Sequence, residues 1–122
     1  MRVMAIVKAT KDSEAGMMPG PELMAAMGKF NQALIDAGVF IDAGGLKDSG
    51  NGARVALSGK ERTVIKGPFA NNGADGGLAS GYWFWKVKDL DEAIDWAKRC
   101  PSSPSGPFEI EIRPLFEMED FA

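Results

Sequence analysis

The sequence predicts one α+β domain, spanning residues 1–122, in which an antiparallel sheet carries two helices on one face. Two observations predict this class. Segments rich in branched and aromatic residues are interrupted by two segments in which apolar residues recur at helical spacing. In addition, one predicted strand carries large aromatic side chains toward both faces of the sheet. The length suits a single domain that buries about two-thirds of its surface on folding.

The first part of the chain is predicted to form a strand, a loop and a long helix. Residues 2–8 are rich in branched apolar side chains, which favours a strand. Residues 11–21 are polar and contain two glycines and two prolines, as is typical of a loop. Apolar residues then recur at helical spacing from Leu23 to Ile35, and Gly38 suits a C-terminal helix cap.

The rest of the chain is predicted to add five strands and a second helix. Asp89 and Glu92 have the spacing of a capping box, and an apolar stripe predicts the buried face of the helix that follows, through Leu90, Ala93, Ile94 and Ala97. A glycine-rich stretch covers residues 66–81, and residues 115–122 form an acidic, aromatic tail. The order of elements is typical of the split β-α-β, ferredoxin-like pattern. The predicted strands are Val39–Leu46, Ala53–Leu57, Thr63–Ile65, Tyr82–Lys88 and Phe108–Arg113.

The aromatic run Tyr82-Trp83-Phe84-Trp85 predicts that both faces of the sheet are buried. Alternate strand residues point to opposite faces, so Tyr82 and Phe84 share one face and the two tryptophans share the other. Two helices cover only one face. The second face therefore needs another apolar surface, and a second copy of the chain is the commonest solution. The alternative is that a loop within residues 68–81 folds over it.

The last predicted strand carries the main candidates for polar chemistry. Ile110 and Ile112 share one face, whereas Glu109, Glu111 and Arg113 share the other. Carboxylates two residues apart on a strand lie about 7 Å apart, a spacing suited to proton transfer or to a hard cation. A solvated edge or a Glu–Arg pair at an interface is the simpler interpretation.

The composition excludes several classes of site. The chain has no histidine and one cysteine, Cys100, which excludes histidine-based catalysis, histidine-ligated metals and an internal disulfide. A net charge of −3 without a basic patch argues against nucleic-acid binding. No apolar run approaches about 18 residues, so no membrane segment is expected. We predict no metal and no cofactor, and the composition favours the cytoplasm.

Three further positions have competing interpretations. Lys66 and Phe69 flank a Gly-Pro pair, and both are candidates for a pocket rim, with Lys66 suited to an anionic ligand. The alternatives are a solvated lysine and a structural turn that Phe69 anchors. Cys100 is predicted to pack rather than react, because a helix C-terminus does not lower the pKa of a thiol.

An ordered set of motifs resembles the YCII-related superfamily, and within it the branch named for an Asp-Gly-Pro-Phe motif. The resemblance covers nearly the whole chain and implies a dimeric α+β barrel, in which the sheets of two ferredoxin-like copies pack together. The motifs are Gly67–Phe69, Gly81-Tyr82, Asp89–Ala93, Trp96-Ala97 followed by Cys100-Pro101, and Glu111–Leu115.

The resemblance implies bacterial cytoplasmic proteins without a settled activity, some encoded beside extracytoplasmic-function sigma factors. An enzymatic role in a cleft is suggested by relatives that carry a His-Asp pair. This chain departs from the pattern, because Lys66 stands where the motif has Asp and Cys100-Pro101-Ser102 stands where many members have His. The His-Asp mechanism therefore does not carry over.

Two functions stay open at this point. The first is a homodimeric barrel with a small-molecule cleft, with cofactor-free catalysis as one outcome. The second is a non-catalytic binding or regulatory module, with a link to a sigma-factor stress response as one form. The first predicts a pocket of a few hundred Å³ with convergent polar groups. The candidate lining residues are Lys66, Phe69, Tyr82, Trp83, Trp85, Glu109, Glu111 and Arg113.

Overall fold

A computed structural model describes residues 1–70, 77–103 and 106–122 of the chain. Strands and helices in these ranges follow the predicted order, with one short helix added in the first loop. The strands are β1 (Arg2–Lys8), β2 (Phe40–Gly45), β3 (Ala53–Ser58), β4 (Glu61–Lys66), β5 (Ala79–Lys86) and β6 (Ile110–Pro114). The helices are α1 (Lys11–Glu14), α2 (Pro21–Asp36) and α3 (Leu90–Lys98), with 3-10 turns at Ser49–Asn51 and Met118–Phe121.

Four strands form an antiparallel sheet in the order β2-β5-β1-β6. Strand β5 lies between β1 and β2 and runs antiparallel to both, so β1 and β2 are the two parallel strands of a split β-α-β unit. The predicted ferredoxin-like arrangement of the sheet is confirmed. Strands β3 and β4 form a separate two-stranded hairpin that leaves the sheet after the edge strand β2.

The core lies between the sheet and α2, and the two tryptophans of β5 form its centre. Trp83 is 5% exposed and Trp85 is fully buried. Both rings contact Phe30 of α2 edge-on, with ring centroids 5.6 and 6.4 Å away. Val3 and Ala5 of β1, which pair with Trp85 and Trp83, are also fully buried. The tryptophan pair therefore faces the helices.

The opposite face of the sheet, called the open face below, carries the other aromatic pair. Tyr82 and Phe84 are half-buried, and their ring centroids lie 5.6 Å apart. Met4 and Ile6 of β1 pair with them and are also half-buried. The alternative in which residues 68–81 cover this face falls partly on residues 71–76, which lie outside the described residues.

Two local expectations need correction. Part of the predicted loop is the helical turn α1, because Thr10 and Ser13 form a reciprocal capping box with hydrogen bonds of 2.8 and 3.2 Å. The apolar stripe of α3 is only partly as predicted, since Ala93 and Ala97 pack against the core together with Trp96. Leu90 and Ile94 are instead 41% and 37% exposed. A bulky indole covers more apolar surface than a leucine, so the helix turns this side inward.

The start of α3 is capped, although in a variant of the predicted pattern. The Asp89 carboxylate accepts a 2.9 Å hydrogen bond from the Glu92 N–H, as in a capping box. The Glu92 carboxylate accepts its return bond from the Lys88 N–H at 2.7 Å, one residue before the cap. No helix in the described ranges has the length and apolar character needed to cross a membrane.

Candidate ligand-binding site

A cavity of about 810 Å³ lies where β1 ends, between α1, the start of α2 and the segment that follows β2. Cavities of about 300–1,000 Å³ are the usual size for small-molecule sites. Most of its wall is apolar and comes from flexible or aromatic side chains, namely Met17, Met18, Leu23, Met24, Leu46 and Phe108. Methionine side chains adapt to ligands of different shape because they are unbranched and polarizable.

The polar part of the wall mixes charges of both signs with neutral groups. Two lysines, Lys8 and Lys47, and two aspartates, Asp12 and Asp48, are among the lining residues. Asn51 and several serine and threonine hydroxyls complete the lining. A few polar groups set in an apolar wall are typical of sites that orient a ligand as well as enclose it.

The loop between β1 and α2 builds the rim of the cavity from local interactions. The capping box of Thr10 and Ser13 holds α1 against the end of β1. Gly20 then caps α2 without a side-chain hydrogen bond, and Pro21 occupies its first turn. Since a proline at that position needs no N–H partner, the helix begins directly at the cavity edge.

Lys8 connects the cavity to the open face of the sheet. Its side chain is 25% exposed, and its Nζ lies 3.6 Å from Oε1 of Glu111. The second carboxylate oxygen of Glu111 accepts a 3.3 Å hydrogen bond from Arg113. Because Arg113 is 72% exposed, this pair contributes little stability, but it leaves Lys8 beside a partly neutralised carboxylate.

Ser49 ties the Gly-Pro-Phe segment to α1 on the far side of the cavity. Its hydroxyl donates to the Glu14 carboxylate at 2.5 Å and accepts a 2.9 Å hydrogen bond from the Phe69 N–H. A Cβ on Gly67 would overlap the Ser49 carbonyl oxygen, so this position excludes any side chain. The Arg54 guanidinium covers the Phe69 ring at 4.0 Å. The segment is therefore a structural anchor, which agrees with the second interpretation of Phe69.

The residues predicted from sequence do not line this cavity. Trp83 and Trp85 are buried beneath α2 and leave the set of cleft-lining candidates, which corrects that expectation. Tyr82 lies on the open face, where its ring covers Gly44 so closely that a Cβ there would sit 2.8 Å from Cε1. Lys66 is exposed at the end of β4.

Glu109 and Glu111 have the surroundings of a solvated edge and a Glu–Arg pair, rather than those of a pair of catalytic or metal-binding carboxylates. Glu111 pairs with Arg113, and Glu109 is exposed just before β6 begins. Within the described part of the chain, no group of three or more carboxylate or thiol side chains could hold a metal ion. The one carboxylate of β6, that of Glu111, is thus placed as an ion-pair partner of Lys8 and Arg113.

Sequence reasoning missed the residues that do line the cavity, including Lys8, Asp12 and the Met17-Met18 pair. The available signal was the length of the loop, because connections of more than about 12 residues or with exposed apolar side chains often carry function. Met17 is 61% exposed and Met18 is 82% exposed. Two exposed methionines in a polar loop indicate an adaptable binding surface.

Cys100 lies at a smaller cavity of about 370 Å³ between α3 and β6. Burial raises the pKa of its thiol to about 11, so the reactive thiolate is scarce at neutral pH. The side chain packs against the core as expected from sequence.

Fold and cavity together define a ferredoxin-like α+β protein with an open cavity of small-molecule size beside its sheet. The family model of the YCII-related domain matches residues 1–119 of the 122-residue chain. The chain therefore belongs to the YCII-related domain family, as its motifs indicated. No curated protein matches the chain.

Proposed function

We propose that this chain is a small-molecule-binding protein that acts as a homodimer. The observation that carries the proposal is the 810 Å³ cavity, whose wall combines large apolar side chains with polar and charged residues that include Lys8. A wall of this composition suits an amphipathic ligand. The apolar body of the ligand contacts the methionines, and an anionic or carbonyl group contacts Lys8.

The open face supports the homodimer. Met4, Ile6, Tyr82 and Phe84 form a continuous apolar surface on the side of the sheet that α2 and α3 leave uncovered. Contiguous apolar surfaces of this kind mark interaction sites, and twofold self-association is the commonest way to cover them. A barrel made by two such sheets is the arrangement that we propose.

Assignment to the Asp-Gly-Pro-Phe branch belongs to the same proposal. The steric requirement for glycine at position 67 and the anchoring of Phe69 by Ser49 support it, because they give the Gly and Phe of the motif defined structural roles. Lys66, at the position of the acid, is exposed and takes no part in this anchoring.

A second candidate function is cofactor-free catalysis in the same cavity. The presence of Lys8 and Asp12 among the lining residues favours it, because a lysine and an aspartate can supply a proton donor and a proton acceptor. The two candidates share the ligand and differ in whether the bound molecule is chemically changed.

Titration with anilinonaphthalene sulfonate tests ligand binding, since this fluorescent probe has an apolar body and one anionic group. Met24 and Ile35 both lie on α2 and are 55% and 51% exposed, but only Met24 lines the cavity. We expect Met24→Asp to weaken binding about tenfold or more and Ile35→Asp to leave it nearly unchanged, because only the first places a charge in the apolar wall. Equal effects of the two substitutions would refute the site.

Mass spectrometry of the protein under non-denaturing conditions then separates the two candidates. A copurifying small molecule that is recovered with its mass unchanged after prolonged incubation supports binding alone. Conversion of that molecule by the natural chain, with loss of conversion in Lys8→Met, supports catalysis. The matched control is Lys29→Met, which removes an exposed lysine of α2 that does not line the cavity.

A further inference from the structure

The β3–β4 hairpin stands apart from the four-stranded sheet. Its strands pair only with each other, and every residue of both strands is exposed. A two-stranded hairpin is marginally stable when it is alone in water, so this one needs an apolar surface to pack on. Its large apolar side chains are 46–69% exposed, namely Val55, Leu57, Val64 and Ile65.

The C-terminal segment, residues 115–122, presents a second exposed apolar surface. Three of its large apolar side chains are 72–84% exposed, namely Phe116, Met118 and Phe121. The segment is nevertheless held in place, because Arg2 donates two hydrogen bonds of 3.0 Å to the Glu117 carboxylate. An ordered aromatic surface of this kind is built for contact with another surface.

The two surfaces carry opposite charge. The hairpin has four cationic side chains and one carboxylate, whereas the C-terminal segment has three carboxylates and no cation. In the described ranges none of the hairpin charges forms an ion pair, nor do Glu119 and Asp120. The hairpin charges are those of Arg54, Lys60, Glu61, Arg62 and Lys66.

The two surfaces lie at diagonally opposite corners of the sheet. The hairpin follows the end of edge strand β2, where Gly45 pairs with Gly81. The C-terminal segment follows the end of edge strand β6, where Pro114 pairs with Val3 at the other end of the sheet. Within one copy they are separated by the whole width and length of the sheet, so each must find its partner surface elsewhere.

Packing two open faces together brings these corners together. Consider a twofold axis that lies between the two faces, at right angles to the diagonal that joins the two corners. This axis places the hairpin corner of each copy over the C-terminal corner of the other. The strands of the two sheets then cross near a right angle, which is one of the two established geometries of sheet-on-sheet packing. Each hairpin comes to lie over the C-terminal segment of the other copy.

We propose that the hairpin of one copy docks on the C-terminal segment of a second copy, and that this contact occurs twice across the twofold axis. The inference rests on the proposed homodimer and adds which segments of the two copies meet. Leu57 and its apolar neighbours cover the exposed Phe116 and Phe121, and the lysines of the hairpin face Glu119 and Asp120.

A charge-exchange experiment followed by sedimentation equilibrium tests the contact. One variant carries Lys60→Glu and Lys66→Glu, a second carries Glu119→Lys and Asp120→Lys, and a third carries all four substitutions. We expect each double variant to raise the dimer dissociation constant about tenfold, because attraction is replaced by like-charge repulsion at two symmetric contacts. The quadruple variant should return to within about threefold of the natural chain.

The matched control is Lys29→Glu with Lys88→Glu, which changes the net charge equally at two exposed positions outside both surfaces. It should leave the dissociation constant nearly unchanged. A monomeric natural chain overturns both the dimer and the docking contact. A natural dimer that neither double variant weakens, or that the quadruple variant does not restore, overturns the docking contact and leaves the homodimer standing. Rescue is decisive because a folding defect cannot be reversed by a second charge change.

Discussion

Trp83 and Trp85 form a matched pair whose indole N–H groups have opposite hydrogen-bonding status. Both rings are buried under α2 and contact Phe30. The Trp83 Nε1 donates to the Asn31 side-chain oxygen at 2.8 Å, whereas the Trp85 Nε1 is buried without a hydrogen-bond partner among the described residues. Replacing each tryptophan by phenylalanine therefore removes a satisfied donor in one case and an unsatisfied donor in the other.

The two substitutions should differ in their cost although they remove the same atoms. Both leave a similar cavity beside Phe30, which is expected to cost roughly 1–3 kcal/mol. Trp83→Phe additionally loses a hydrogen bond worth about 1 kcal/mol. Trp85→Phe instead removes a buried unpaired donor, whose desolvation costs about 1–3 kcal/mol in the natural chain. We expect Trp83→Phe to be the more destabilising by about 2 kcal/mol or more.

Urea unfolding followed by tyrosine and far-ultraviolet signals measures this difference. The comparison is valid if both variants unfold with the same denaturant slope, because an altered slope would report a change in the unfolded state. Equal free energies of unfolding for the two variants, or a larger loss for Trp85→Phe, would refute the role assigned to the unpaired indole.

Two further predictions concern glycine sterics and an exposed ion pair. Gly67→Ala should destabilise the chain or displace the Gly-Pro-Phe segment, because the new Cβ would overlap the Ser49 carbonyl oxygen. Gly28 lies in the interior of α2 with open space around it, so Gly28→Ala should stabilise the chain by about 0.5–1 kcal/mol. The Arg2 guanidinium lowers the pKa of Glu117 through a hydrogen bond. The ion pair should therefore contribute to the free energy of unfolding at pH values above the unfolded-state pKa of Glu117. This contribution should disappear as pH falls through the lowered folded-state pKa of the same carboxyl group.

Thermal unfolding checks both expectations. A Gly67→Ala chain as stable as the natural one, with its Gly-Pro-Phe segment unmoved, would contradict the steric account. For the ion pair, the difference in unfolding midpoint between the natural chain and Glu117→Gln should shrink on acidification and with added salt. A difference that stays constant with pH would show that Arg2 does not act on the charged form of Glu117.

The sequence was sufficient for the order of elements and for the faces of individual strands. Alternation along β5 correctly placed Tyr82 and Trp83 on opposite faces of the sheet, and alternation along β6 did the same for Ile112 and Glu111. Both conclusions depend on the strand period of two residues, which is a property of the local backbone. The helical spacing in α3 was a weaker guide to its buried face, because it allows a buried face that begins at Leu90 as well as one that contains Trp96.

The cavity could not be predicted, because it has no local signature. Its wall is assembled from the end of β1, the loop and first turn of α2, the segment after β2, and Phe108. These segments are far apart in the sequence and meet only through the pairing of β5 with both β1 and β2. The loop that supplies Met17 and Met18 was recognised as a loop, but its contacts depend on where α1 packs.

By itself the sequence determined an α+β chain with aromatic side chains on both faces of its sheet and no histidine chemistry, because periodicity and composition are local properties. Only the tertiary structure decided which aromatic pair lies under the helices. Alternation assigns residues to two faces without distinguishing them, and the choice follows from the side on which α2 packs. The same packing placed the ligand-sized cavity beside Lys8 and left the tryptophans to the core.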